Sequence, residues 1–120
     1  MARIILIIGL PGSGKTYLAK ARYEHLGYEL VDEPKDLPDL SPEKDYVICD
    51  PHLCDPRTRE LCRNILKDFE IEEIYFENDP QKCQNNINNR EGGRKVTLKA
   101  FNYEIPKGIK PLKIWQSKIK

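Results

Sequence analysis

Eight consecutive residues, Gly9-Leu10-Pro11-Gly12-Ser13-Gly14-Lys15-Thr16, concentrate the chemistry available to this chain. They fit the spacing G-x-x-x-x-G-K-[ST], and each residue type answers a physical need. Glycines at 9, 12 and 14 let the backbone turn tightly and point successive N–H groups at one spot. Lys15 adds a full positive charge there, and a helix beginning at Lys15 adds the positive end of its dipole. The ligand that suits such a cradle is a polyphosphate. Lys15 is expected between its β- and γ-phosphates, the Thr16 hydroxyl on a bound Mg²⁺, and the Gly12 and Ser13 amides on phosphate oxygens. Leu10, Pro11 and Gly14 complete the lining.

A cradle of this kind works only where a strand delivers it and a helix continues it. Arg3–Ile8 is β-branched and leucine-rich without alternation, which predicts a strand buried on both faces of a parallel sheet. Lys15 to about Leu26 reads as a helix that Gly27 stops. Tyr28–Asp32, Asp45–Asp50, Ile71–Asn78 and roughly Leu112–Trp115 read as further strands. Helices are predicted from Asp55-Pro56 to about Phe69 and from Asp79-Pro80 to about Arg90, each opened by an Asp N-cap with Pro at the first helical position. A short helix is predicted over Val96–Tyr103, while Pro34, Pro38 and Pro42 forbid one between the second and third strands. Alternating strands and helices predict an α/β fold, a three-layer α/β/α sandwich around a mostly parallel sheet of about five strands, in a single domain over residues 1–120.

In such sheets, ligands sit beyond the carboxyl ends of the strands, so the residues that follow strands are the informative ones. Asp32 ends the second strand, where a carboxylate can accept the proton of an attacking hydroxyl; the plainer role is a turn residue among acidic neighbours. Asp50 ends the third strand, where it can hold a magnesium-bound water or simply cap the turn before Pro51. His52 follows closely and could face the same pocket, whereas His25 reads as structural and Arg59 as a surface residue. Phe101, Tyr103 and Trp115 lie among lysines, a pattern that can stack nucleic-acid bases or simply pack the last strand.

Composition narrows the class. The apolar run Ile4–Ile8 is far too short for a signal peptide or a membrane span, so no membrane partner and a cytoplasmic location are expected. Cys49, Cys54, Cys62 and Cys83 form no C-x-x-C pair, which favours reduced, partly buried thiols over a zinc site. The net charge of +1 hides an asymmetry: Glu24–Asp79 carries 17 acids and 6 bases, whereas Arg90–Lys120 carries 9 bases and 2 acids. The basic third could meet a phosphate-rich partner or form a solvated surface.

Taken together, IILIIGLPGSGKT, Asp32 after the second strand, VICDPHLCDPRTRE and NNREGGRKV resemble the kinase domain of the bacteriophage polynucleotide kinase-like group of P-loop kinases, over about residues 3–105. That resemblance implies a P-loop NTPase fold of the nucleoside/nucleotide kinase type, with ATP and Mg²⁺ as cofactors. It implies Asp32 as the general base, Asp50 as an organiser of the active centre, and Arg90 and Arg94 on a lid with Gly92 and Gly93 as its hinge. The arginines would stabilise charge on the transferring phosphoryl group. Lys35 stands where the group usually has an arginine that orients the acceptor, and a proline-rich loop replaces the usual helical insert.

The expected activity is transfer of the γ-phosphate of ATP to a hydroxyl of a nucleic acid or nucleotide, with a polynucleotide 5′-hydroxyl and DNA favoured. A hydroxymethyl pyrimidine in DNA, a free nucleoside or nucleotide, and a non-catalytic or NTPase module are the alternatives. The phage-like resemblance implies the host cytoplasm as the setting.

Overall fold

The apolar run near the N-terminus forms β1, Arg3–Ile8, and every side chain from Ile4 to Ile8 is fully buried. The computed structural model describes residues 2–31, 40–89 and 102–114. Asp32, Lys35, Arg90, Gly92, Gly93, Arg94, Phe101 and Trp115 therefore lie outside the described residues.

After β1 come helix α1 (Lys15–Arg22), β2 (Glu29–Val31), β3 (Tyr46–Ile48), α2 (Pro56–Ile65), β4 (Glu70–Tyr75) and α3 (Pro80–Asn88). The strands form one parallel sheet in the order β2-β3-β1-β4. β1 is central, with Leu6 opposite Ile48 of β3 on one edge and Ile8 opposite Tyr75 of β4 on the other. Unbroken aliphatic side chains suit that place because both faces of β1 are covered.

Local chemistry sets most boundaries. Asp55 and Asp79 cap α2 and α3 through the backbone N–H groups of Arg57 and Lys82, and each helix opens on a proline. α1 ends at Arg22, earlier than the predicted Leu26, because the chain tightens into a 3₁₀ turn over Glu24–Leu26. Gly27, at φ 91°, then ends that turn with its N–H on the Glu24 carbonyl. α2 likewise stops at Ile65 rather than Phe69; Leu66 turns into the core and the chain reverses to enter β4 at Glu70.

Four strands are present among the described residues, against about five expected. The predicted strand from Leu112 is reduced to one parallel bridge, Phe76 to Leu112, with 2.8 Å hydrogen bonds from Leu112 N to Tyr75 O and from Glu77 N to Leu112 O. Pro111 brings no N–H to a ladder, and the Ile114 N–H goes to the Glu77 carboxylate instead of a strand partner. The predicted helix over Val96–Tyr103 falls mostly outside the described residues, and Tyr103 itself is not helical.

The strand order positions the site. From β1 the chain runs past β3 to β2, whereas from β3 it crosses β1 to reach β4. By the right-handed rule, crossovers in opposite directions carry α1 and α2 to opposite faces, the arrangement in which ligands sit between the carboxyl ends of the two strands where the order switches, here β1 and β3. Gly9 follows one of those ends and Asp50 the other.

Asp55→Ala removes the α2 cap and is expected to cost about 1 kcal/mol, lowering the Tm by roughly 3–5 °C, whereas Asp55→Asn stays near the parent. Calorimetric melts check this; equal melting of Asp55→Ala and the parent would show that the cap contributes nothing.

Candidate functional site

The cradle starts as a reverse turn. Ser13 N–H donates to the Leu10 carbonyl at 3.1 Å, closing Leu10-Pro11-Gly12-Ser13. Pro11 and Gly12, the latter at φ 87°, occupy the two central positions that suit a type II turn. Gly14, at φ 100°, is the N-cap residue of α1 and supplies no capping side chain. Lys15 is only 8% exposed, and its ammonium folds back to donate to the carbonyls of Gly9 at 2.8 Å and Leu10 at 3.0 Å. Ser13 is fully buried, and its Oγ is the buried side-chain polar atom among the described residues that has no hydrogen-bond partner. It sits 2.6 Å from where a Cβ on Gly9 would fall, so a side chain at 9 would have to displace the Ser13 hydroxyl.

Two neighbours hold this loop. On one side, α3 approaches so closely that a Cβ on Gly12 would lie 2.5 Å from the Cys83 carbonyl oxygen, and Asn86 Nδ2 donates to the Gly12 carbonyl at 2.8 Å. On another, the chain leaving β3 wraps the start of α1: the Cys49 thiol reaches the Lys15 carbonyl at 3.8 Å, and the Cys54 thiol meets the Gly9 backbone. Behind them lies Arg59, 3% exposed, with its guanidinium on the carbonyls of Leu53 (2.9 Å), Cys54 (2.8 Å) and Glu104 (2.8 Å) and over the Tyr75 ring. The buried Tyr103 hydroxyl donates to the Phe76 carbonyl just beyond β4, with the Ile8 carbonyl at the end of β1 also within 3.3 Å.

The residues Leu10, Pro11, Gly12, Ser13, Gly14, Lys15 and Thr16 are thus brought together at the carboxyl end of β1, with Thr16 exposed in the first turn of α1. The Ser13 amide, expected on a phosphate, is already given to Leu10. Asp50 is buried at the end of β3 and caps the 3₁₀ turn Pro51–Cys54; its Oδ1 accepts from the His52 N–H and lies 2.8 Å from His52 Nδ1. The capping role read from Pro51 is therefore present, and the imidazole of His52, 74% exposed, leans on that carboxylate. Asp32, Arg90 and Arg94 lie outside the described residues.

Two readings change. Arg59 is not a surface residue: the buried carbonyls of Leu53 and Cys54 and the part-buried carbonyl of Glu104 need a donor, and a five-donor planar group reaches all of them. Tyr103 is not a stacking platform, since its ring is buried and its hydroxyl is used at the strand ends. Asn86 was not singled out from sequence. Its one signal is a polar residue between Cys83 and Ile87 at helical spacing, a pattern that marks a buried face without naming its partner.

All four cysteines are buried thiols. Burial pushes Cys54 and Cys83 up to about 11 against the opposing charge of Lys15, and burial also raises Cys62. Among the described residues, no group of three or more His, Cys, Asp or Glu is placed to hold a metal ion. No helix among those residues is long and apolar enough to cross a membrane.

No protein-family model matches the chain. It is similar to "Uncharacterized protein R277" of Acanthamoeba polyphaga mimivirus, at 30% identity over 121 residues, covering 83% of this chain and 81% of that one.

The raised thiols make a signed prediction. The folded state keeps protons that the unfolded chain gives up near pH 9, so this stability is present below about 9 and lost as pH rises towards about 11. Urea midpoints should hold steady from neutrality to about pH 8.5 and fall above it. All four thiols should resist an aromatic disulfide reagent at pH 8 until the protein unfolds. Rapid labelling of Cys54 or Cys83 in the folded protein would contradict their placement.

Proposed function

The chain belongs to one family with the mimivirus uncharacterized protein R277, and we propose that it is a small P-loop phosphotransferase. It moves the γ-phosphate of ATP to a hydroxyl of a nucleic acid or nucleotide, with a polynucleotide 5′-hydroxyl the favoured acceptor. The observation that carries this reading is the buried, unpartnered Ser13 hydroxyl beside the start of α1. Burying a hydroxyl without a partner is costly, and a phosphate oxygen would satisfy it. α2 and α3 each carry an aspartate at the N-terminus, whereas α1 has only Gly14 there, so an anion supplies what that dipole lacks. The order β2-β3-β1-β4, with the loop at the strand-order switch, is compatible with a nucleotide kinase-like P-loop fold.

Bound MgATP would supply the phosphoryl group and the metal charge on it. Lys15 would exchange a loop carbonyl for the β- and γ-phosphate oxygens while staying in the same buried place. Thr16 offers an exposed hydroxyl to the metal, and Asp50 would order its water through the oxygen not shared with His52. Asp32 is proposed to take the acceptor proton, with Arg90 and Arg94 on the phosphoryl charge, following the resemblance of their strings to the kinase group. The basic stretch from Arg90 to Lys120 would track the acceptor backbone, favouring DNA.

One assay with γ-labelled ATP, Mg²⁺ and DNA, RNA, nucleosides or hydroxymethylated DNA tests the reading. Label is expected on a DNA 5′ end. Label appearing only as free phosphate points to an NTPase, and ATP binding without turnover to a sensor. Lys15→Ala should lower turnover about 10²–10³-fold, as loss of a charge-stabilising donor does. Unchanged ATP handling in Lys15→Ala would remove the cradle from the mechanism.

A further inference from the structure

We propose that Asn86 is a positioning residue of the cradle: its side-chain amide holds the Gly12–Ser13 peptide so that the Ser13 N–H, not the Gly12 carbonyl, faces the loop interior. This rests on the polyphosphate reading above. In a trans peptide the C=O and the following N–H point in opposite directions. The Ser13 N–H crosses the turn to Leu10 O at 3.1 Å, so the Gly12 carbonyl points out of the turn, towards α3. There Asn86, 5% exposed and 74 residues away in sequence, donates to it at 2.8 Å.

The contact depends on glycine. A Cβ at residue 12 would meet the Cys83 carbonyl oxygen at 2.5 Å and Ile87 Cγ1 at 3.0 Å. Cys83, Asn86 and Ile87 share one buried face of α3, as residues three and four apart do. The helix is itself tied down: Asp79 caps it through Lys82 N at 3.2 Å, and the Lys82 ammonium meets Glu77 at 3.1 Å. Asn86 therefore reaches the turn from a fixed platform.

A glycine at φ 87° offers little steric resistance to rotation of its peptide. With the amide gone, the Gly12 carbonyl would be left without its donor in a dry site. Rotation would then relieve it by turning an oxygen towards an anionic ligand, which repels it. Leucine at 86 keeps the branching and heavy-atom count and offers no donor; aspartate matches the shape and sets an acceptor against an acceptor.

The test compares the full chain with Asn86→Leu and Asn86→Asp, measuring calorimetric binding of MgATP and of inorganic tripolyphosphate well below each melting temperature. Both variants should bind both ligands roughly tenfold more weakly or worse, the scale of one lost buried hydrogen bond. Amide exchange at Ser13 should quicken in parallel, which a role in general stability would not single out. In the unsubstituted chain, a scalar coupling across the hydrogen bond from Asn86 Nδ2 to the Gly12 carbonyl should persist with tripolyphosphate bound, a readout that survives if both variants fail to fold. Parental affinity in a folded variant, or absence of that coupling, overturns the role of Asn86 and leaves the polyphosphate reading intact. Failure of the unsubstituted chain to bind either ligand overturns both.

Discussion

The structure depends on one constraint: β1 is buried on both faces and paired along both edges. A strand held that way cannot shift or twist independently, so its last residue is a fixed point. The chain must turn at once, and Gly9 is where it does so, with no room for a side chain between Ser13 and Phe76. The reverse turn at Pro11-Gly12, the left-handed Gly14 and the start of α1 all follow from that exit. A loop on a rigid strand is placed far more tightly than one on a flexible connection.

Around that point the protein solves a second problem. Several carbonyls at the end of the sheet and in the turns beside it are covered by neighbouring segments. Buried acceptors need donors. Tyr103 serves Ile8 and Phe76, Arg59 serves Leu53, Cys54 and Glu104, and Asn86 serves Gly12. Each reaches a segment remote in sequence, so satisfying the backbone also ties α2, α3 and the segment around Tyr103 to the surroundings of the loop.

What could be read from sequence was what local chemistry determines. The aliphatic run named β1, the Asp-Pro pairs named two helix starts, and the glycine spacing named the loop. These signals lie within a few residues of what they specify. Arg59, Tyr103 and Asn86 act across 45, 95 and 74 residues, and nothing beside them in the chain announces a carbonyl waiting that far off. The fifth strand was over-read for a related reason: apolar residues after Pro111 look like a strand, but the Ile114 amide is captured by the Glu77 carboxylate. Asp50 was legible only as a choice between two roles, and one of them, the cap on His52, is visible.

Arg59 has an electrostatic consequence beyond its hydrogen bonds. Among the described residues its partners are three neutral carbonyls and an aromatic ring, so dipoles there solvate its charge and no described carboxylate pairs with it. Burial shields that charge from dissolved salt. The charge reaches Cys54, whose thiol meets the Gly9 backbone, so a fixed cation stands behind the point where the loop leaves β1.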